Sequence, residues 1–205
     1  TILLRGDFMN RKEEIIQATL SLASEKGLCN ISMSQIAEFI GIKKPSLYNH
    51  FKSKDEIIEA TYQYLRNEAR SSLSIDEIDY AKLIEGKSLK EILMLTINNY
   101  SNMTTQENML KFYKIIYAER TFNPLAAKIL IEETKRMVNA TKNLFYALQV
   151  HKKLNVESID VVATSFAMTI HAFMDYNLDL NTAKEEKSDN LIRFIDWFSN
   201  QFEVK

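Results

Sequence analysis

Three times in its first sixty residues the chain repeats one local signal: a small polar residue followed three positions later by Glu or Gln. The pairs are Asn10 with Glu13, Ser32 with Gln35, and Ser53 with Glu56. In such a pair each side chain satisfies the other's free backbone N–H, so each marks the start of a helix. Gly27 and Gly41 follow the first two at positions that suit a helix stop. The spacing therefore predicts short helices in quick succession: Asn10–Lys26, a two-turn helix after Ser32, a very short one opened by Pro45, and a long one from Ser53 to about Ser72. Pro45 suits a first helical turn, where its missing donor costs nothing. Ile15, Ile16, Leu20, Leu22 and Ala23 form the first apolar stripe, Ile36, Ala37, Phe39 and Ile40 the second, and Leu47 with Phe51 the third.

The rest of the chain is also helical in pattern. Glycine and proline together number only six of 205 residues, too few for the turns of a sandwich or barrel. Hydrophobic residues are 46%, enough for a substantial core without disulfides or metal. From Leu73 to Lys87 the pattern breaks, and Gly86 marks a loop. Helical stripes resume over Ser88–Met103, Gln106–Arg120, Pro124–Val150, Val156–Leu178 and Lys184–Phe202. The single cysteine, Cys29, excludes an internal disulfide framework, fits a reducing cytosol, and reads as a small half-buried apolar residue. Met9 is a candidate start, with residues 1–8 added ahead of it; they carry no cleavage-site pattern. No apolar run is long enough to span a membrane.

Charge singles out the head. Residues 1–54 carry eight Lys/Arg against five acids, a net +3, whereas the remaining 151 carry 18 bases and 22 acids, a net −4. Gly41–Lys54 holds four lysines and no acid. Lys43 and Lys44 precede the third helix and Lys54 opens the fourth, where a cation opposes the helix dipole at a cost of about 0.3 kcal/mol or more. Such placement makes sense if an external polyanion neutralises them. An ordinary three-helix corner without a DNA role is the alternative.

These residues carry a specific resemblance. Glu25-Lys26-Gly27, Ser32 with Ile36-Ala37, Gly41-Ile42, and above all Leu47-Tyr48-x-x-Phe51-x-x-Lys54 resemble the DNA-binding domain of the tetracycline-repressor (TetR) family of bacterial transcription regulators. The departures are Ala23, where an aromatic is commoner, and Ile57, where leucine is. The resemblance covers about a quarter of the chain, Ile15–Ile57. It implies an all-α protein: a three-helix head with a helix-turn-helix at 9–55, joined by a long fourth helix to an effector-binding and dimerisation body at 56–205. It implies that Ser32, Met33 and Ser34 touch phosphate or base, and that Lys43, Lys44, Pro45 and Ser46 lead into the major groove. Tyr48 and His50 would project from the recognition helix and Lys54 would hold a phosphate. Tyr48's offset from Leu47 and Phe51 already turns it outward.

Two further sets belong to the body. On the last helix Leu191, Ile195, Phe198 and Phe202 share a face that Ile192, Phe194 and Trp197 widen. With Val161, Ser165, Met168 and Ala172 on the preceding helix they suggest a four-helix homodimer interface; a thick monomeric core is the alternative. The middle of the body is rich in Met and aromatic residues, which suits an adaptable apolar cavity. Because the resemblance implies a small-molecule effector, Met103, Phe112, Tyr113, Tyr117, Met137 and Phe166 are its candidate contacts, with Asn99, Arg120, Thr141, His171 and Asp175 as polar ones. His171 and Asp175, four apart, lack a third metal ligand, and a local hydrogen bond explains them better. No phosphate loop, paired-cysteine motif or nucleophile–base pair is present.

The expectation is a cytoplasmic bacterial repressor that binds a pseudo-palindromic double-stranded operator as a homodimer. A small apolar or amphipathic effector would release it, and no enzyme activity, cofactor, metal or membrane is involved. Two readings stay open beside it: a DNA-binding regulator without a small-molecule effector, and a helical enzyme or adaptor.

Overall fold

The computed structural model describes residues 10–72 and 79–204, apart from the side chains of residues 69–72. The candidate start at Met9 and the first part of the pattern break, from Leu73, lie outside the described residues. Among these residues the chain forms ten α-helices and no strand: α1 (Arg11–Lys26), α2 (Met33–Phe39), α3 (Lys44–Tyr48), α4 (Lys54–Ser72), α5 (Tyr80–Ile84), α6 (Leu89–Thr104), α7 (Glu107–Glu119), α8 (Pro124–Val150), α9 (Ile159–Ala183) and α10 (Asn190–Phe202). A 3-10 turn, Leu28–Asn30, joins α1 to α2.

The cap signals act as read. Asn10 and Glu13 form a reciprocal capping box on α1, and Ser32 and Gln35 form one on α2. At the third, Ser53 Oγ accepts the Glu56 N–H at 3.1 Å, but the Glu56 carboxylate reaches back one residue further, to the Lys52 N–H at 2.6 Å. Three boundaries differ from expectation. The short α5 lies inside the expected loop, its Lys82 N–H capped by the Asp79 side chain at 3.1 Å. α9 runs on to Ala183, where Lys184 turns left-handed at φ 61 and ends it. α10 consequently begins only at Asn190.

The chain packs as two units, one of Thr1–Ser74 with Thr104–Ile131 and one of Ile75–Met103 with Glu132–Lys205. The packing division thus differs from the expected functional one after residue 55, because α4 and α7 both pack against α1. In the first unit Ile15, Ile16, Leu20, Ile36, Leu47, Phe51, Ile57, Ile58 and Leu65 form the core, with Tyr62 stacked on Phe112 at 6.1 Å between ring centroids. Ala23 is buried in the same core, whereas Phe39, expected to face inward, is exposed. At 3.6 residues per turn Phe39 points away from the face on which α2 buries Met33, Ile36 and Ala37.

The second unit is built around Ile92, Leu93, Leu144, Phe145, Leu148, Phe166, Ile170, Ile195 and Phe198. Its rings interlock: Phe166 lies 5.2 Å from Phe145 and 4.7 Å from Phe198, centroid to centroid. The end of the chain is tied down by backbone bonds from Asn155 N to Phe202 O and from Val204 N to Lys153 O. No described helix is long and apolar enough to cross a membrane.

Candidate nucleic-acid interface

The recognition-type helix α3 has only five residues, so its position depends on its anchors. Leu47 and Phe51, four apart, are buried beneath it. The chain enters through Gly41 at φ 70, a conformation that glycine adopts without strain, and the Ile42 N–H then bonds back to Ala37 O at 2.9 Å. With Leu47 and Phe51 fixed inward, the remaining positions must face out. Lys43, Lys44 and Pro45 are exposed, Ser46 and His50 half-buried, and Tyr48 is 43% exposed. The Lys44 ammonium stands 5.9 Å from the centre of the Tyr48 ring, a cation–π contact that keeps both groups on one surface. Among the described residues neither Lys43 nor Lys44 is ion-paired with a carboxylate.

Ser32 and Ser34 at the start of α2 are exposed. The Ser32 hydroxyl is already engaged with Gln35, donating to Oε1 at 2.9 Å and accepting the Gln35 N–H at 3.3 Å. Two of the expected contact residues are engaged within the head. Met33 is only 8% exposed and packs in the core. Lys54 does not hold its ammonium free for phosphate: Nζ donates to the carbonyls of Leu28 at 2.8 Å and Ile31 at 3.1 Å. An ammonium has three donors, and two are spent inside the head. Exposed Lys12 and Lys52 add cations that sequence motifs did not mark; Lys12 Nζ stands 5.7 Å from the Phe51 ring centre. Cys29 is exposed rather than half-buried, and its thiol bonds to Glu119.

The pattern of buried and exposed side chains is accompanied by matching sequence similarity. The family of bacterial regulatory proteins known as tetR matches residues 15–61, from the middle of α1 into α4. Residues 15–61 thus carry the DNA-binding segment of the TetR family. It is 25% identical over 190 residues to the HTH-type transcriptional regulator YerO of Bacillus subtilis, itself uncharacterized, covering 91% of this chain and 63% of YerO. It is 38% identical over 76 residues to IcaR of Staphylococcus aureus, the HTH-type negative transcriptional regulator of the biofilm operon icaADBC, covering 33% of this chain and 41% of IcaR. The chain thus spans less than two thirds of the length of either relative. A TetR family transcriptional regulator from Pseudomonas syringae shares the fold, with a TM-score of 0.69 at 20% identity over 97% of this chain and 100% of that one.

Outside the matched segment the remaining candidates fall differently from expectation. The eleven effector candidates are divided between the two packing units. In the first, Phe112 is buried against Tyr62, with Tyr113 half-buried beside it, while Tyr117 lies under the exposed Arg120 guanidinium at 4.8 Å. In the second, Phe166 and Met103 are buried, Met137, Thr141 and His171 are half-buried, and Asn99 is exposed. Phe112 and Phe166 are core rings by their packing. His171 Nδ1 lies 3.3 Å from Asp175 Oδ2, and among the described residues no cluster of three metal-type side chains exists. An open cleft of about 530 Å³ in the second unit is lined by Asp79, Lys82, Ile84, Glu85, His151 and Lys153, none of them an effector candidate.

The interface set splits by helix. On α9 Val161 is 64% exposed, and Ser165, Met168 and Ala172 are exposed along the same stripe. On α10 the assignment is corrected: Ile195 and Phe198 are buried in the second unit's own core, with Leu191 and Phe202 packed against it. The apolar side chains that α10 leaves exposed are Ile192 and Trp197.

Proposed function

We propose that this chain is a cytoplasmic transcriptional repressor that binds double-stranded operator DNA through the head at 9–55 and dimerises through the remainder, 56–205. The observation that carries the reading is the α3 surface. Lys43, Lys44 and Tyr48 are exposed on and beside α3, while Leu47 within it and Phe51 just after it are buried. Exposed lysines supply the phosphate contacts that dominate affinity, and Ser46, Tyr48 and His50 are placed to read base edges. Ser32 and Ser34 add backbone contacts from α2.

The α9 stripe of Val161, Ser165, Met168 and Ala172, widened by Ile192 and Trp197 on α10, is the dimer surface in this reading. Two heads about 34–36 Å apart would meet successive major grooves of a pseudo-palindrome. The name of IcaR, a negative regulator, supports repression. Release follows from a small apolar or amphipathic effector that binds better to the conformation with the lower DNA affinity; DNA affinity falls by that differential. Control without a small-molecule effector is the second reading, favoured by the burial of Phe112 and Phe166 within ring clusters.

Fluorescence anisotropy with duplexes selected from a random library tests the function. Affinity is expected to fall steeply with salt, with a log–log slope of about −0.9 for each phosphate contacted. Absence of salt-dependent binding to any duplex overturns the proposal. Thermal-shift hits that leave operator affinity unchanged overturn the effector part alone.

A further inference from the structure

The connection between α1 and α2 is gripped from two sides by groups of opposite charge. Lys54, at the start of α4, donates to the carbonyls of Leu28 and Ile31. Glu119, the last residue of α7 and ninety positions away, takes the donors of the same segment: Oε1 accepts the Cys29 backbone N–H at 3.1 Å and Oε2 accepts the Cys29 thiol at 2.6 Å. Gly27 turns the chain into this segment at φ 79, and a Cβ there would stand 3.9 Å from Glu119 Oε1. Leu28 and Ile31 are buried, which fixes the depth of the segment. Apolar burial is not directional, so the hydrogen bonds to the carboxylate and ammonium set its orientation. The segment runs straight into Ser32, the cap of α2. The bond to Glu119 is also the main cause that raises the Cys29 thiol above its ordinary range, ahead of burial and the nearby negative charge, with Lys54 opposing; the thiol therefore stays a donor at neutral pH.

We infer that Glu119 is a positioning residue for DNA recognition: from the end of α7 it orients Leu28–Ile31 and hence the first helix of the helix-turn-helix, so that the placement of α7 sets how well the head reads a sequence. The inference rests on the regulator reading above. It names a physical contact by which α7 reaches the head.

Cys29 is the chain's single cysteine, so its reactivity toward a chromogenic disulfide reports the contact directly. The experiment measures that rate for the wild type, Glu119→Gln and Glu119→Ala, together with affinity for a duplex selected by the wild type and for its scrambled counterpart. Cys29→Ser joins the binding arm. Glu119→Ala is expected to speed thiol reaction several-fold and to weaken the selected duplex about tenfold, the size of one lost hydrogen bond to a charged group. Its binding to the scrambled duplex, and the salt dependence of that binding, are expected to stay unchanged. Glu119→Gln, which keeps an oxygen for the Cys29 N–H, falls between, and Cys29→Ser binds as the wild type because its hydroxyl still donates. An unchanged thiol rate in Glu119→Ala means the contact is not made and overturns the inference. So does a faster thiol with unaltered binding, or an equal loss on both duplexes with a lower melting temperature, which marks a merely structural role. If the wild type binds no duplex, the regulator reading falls and this inference with it, while the thiol rates still tell whether Glu119 holds Cys29.

Discussion

The head and the α9–α10 pair are held together by different physics. In the head, short helices are fixed at their ends by directional bonds: reciprocal capping boxes on α1 and α2, and the Lys54 and Glu119 contacts around Leu28–Ile31. The N-cap side chains of α9 and α10, Ser158 and Asp189, make no cap bond. They are fixed by broad packing, with Phe166, Phe194 and Phe198 within 4.7–6.1 Å of one another. Directional bonds suit a surface that must present a few groups in register to an irregular partner. Ring packing tolerates small shifts and leaves its outer face to a second apolar surface. The two regions should therefore respond to different substitutions.

The largest contrast is expected on α10 against α9. Phe198→Ala removes a buried ring from the second unit and should cost about 3–5 kcal/mol, read by denaturant unfolding. Met168→Glu, on the exposed stripe, should change stability by no more than about 0.5 kcal/mol yet shift the proposed dimer to monomer in light scattering. If Met168→Glu leaves mass and stability untouched, the α9 stripe is not the dimer surface.

A smaller effect separates two lysines of the head. Lys54→Met keeps the apolar stem but abandons two carbonyls, and should destabilise the first unit by about 2 kcal/mol. Lys44→Met leaves a solvated position and should stay within about 0.5 kcal/mol. Equal losses would mean that the ammonium–carbonyl bonds carry no net stability. The DNA assay should rank the pair the other way. Replacing Lys43 and Lys44 together by alanine should weaken all duplexes about tenfold and flatten the salt slope by about one per lysine. Altered preference among sequences with an unchanged slope would assign these residues to bases instead of phosphates.

That pair also shows what could be read from the chain alone. Caps are short-range: Ser32 and Gln35 are three residues apart, and their bond needs no knowledge of the rest of the fold. Leu47, Phe51 and Tyr48 likewise sort themselves inward and outward by helical offset. Lys54 was identified as a cation at a helix start, but its partners Leu28 and Ile31 lie more than twenty residues away and bond through carbonyls that every residue has. No side-chain pattern marks such an acceptor. The width of the α10 apolar surface was evident, whereas its division was not. Periodicity gives the angle between Ile195 and Trp197 but not which of them meets the core. Met33 fails for the same reason, as a buried residue beside exposed Ser32 and Ser34. Glu119 and Cys29 carried no signal that they meet.

The smallest expected effect tests the directional grip on its own. Hydrogen bonding to Glu119 raises the Cys29 thiol above its ordinary range. A group whose pKa is higher folded than unfolded binds its proton more tightly in the folded state. Its stabilisation is thus fully present below the unfolded value and fades as pH rises through the folded one. Urea unfolding from pH 7 to 10 should show the wild type losing stability relative to Cys29→Ser above the ordinary thiol range, since a serine hydroxyl does not ionise there. Below it the two curves should run parallel. In Glu119→Gln the relative loss should shrink, because an amide brings no charge to repel a thiolate. A wild type and Cys29→Ser that stay parallel throughout would show that the thiol does not feel the carboxylate. The Leu28–Ile31 segment would then be held by Lys54 and by apolar burial alone.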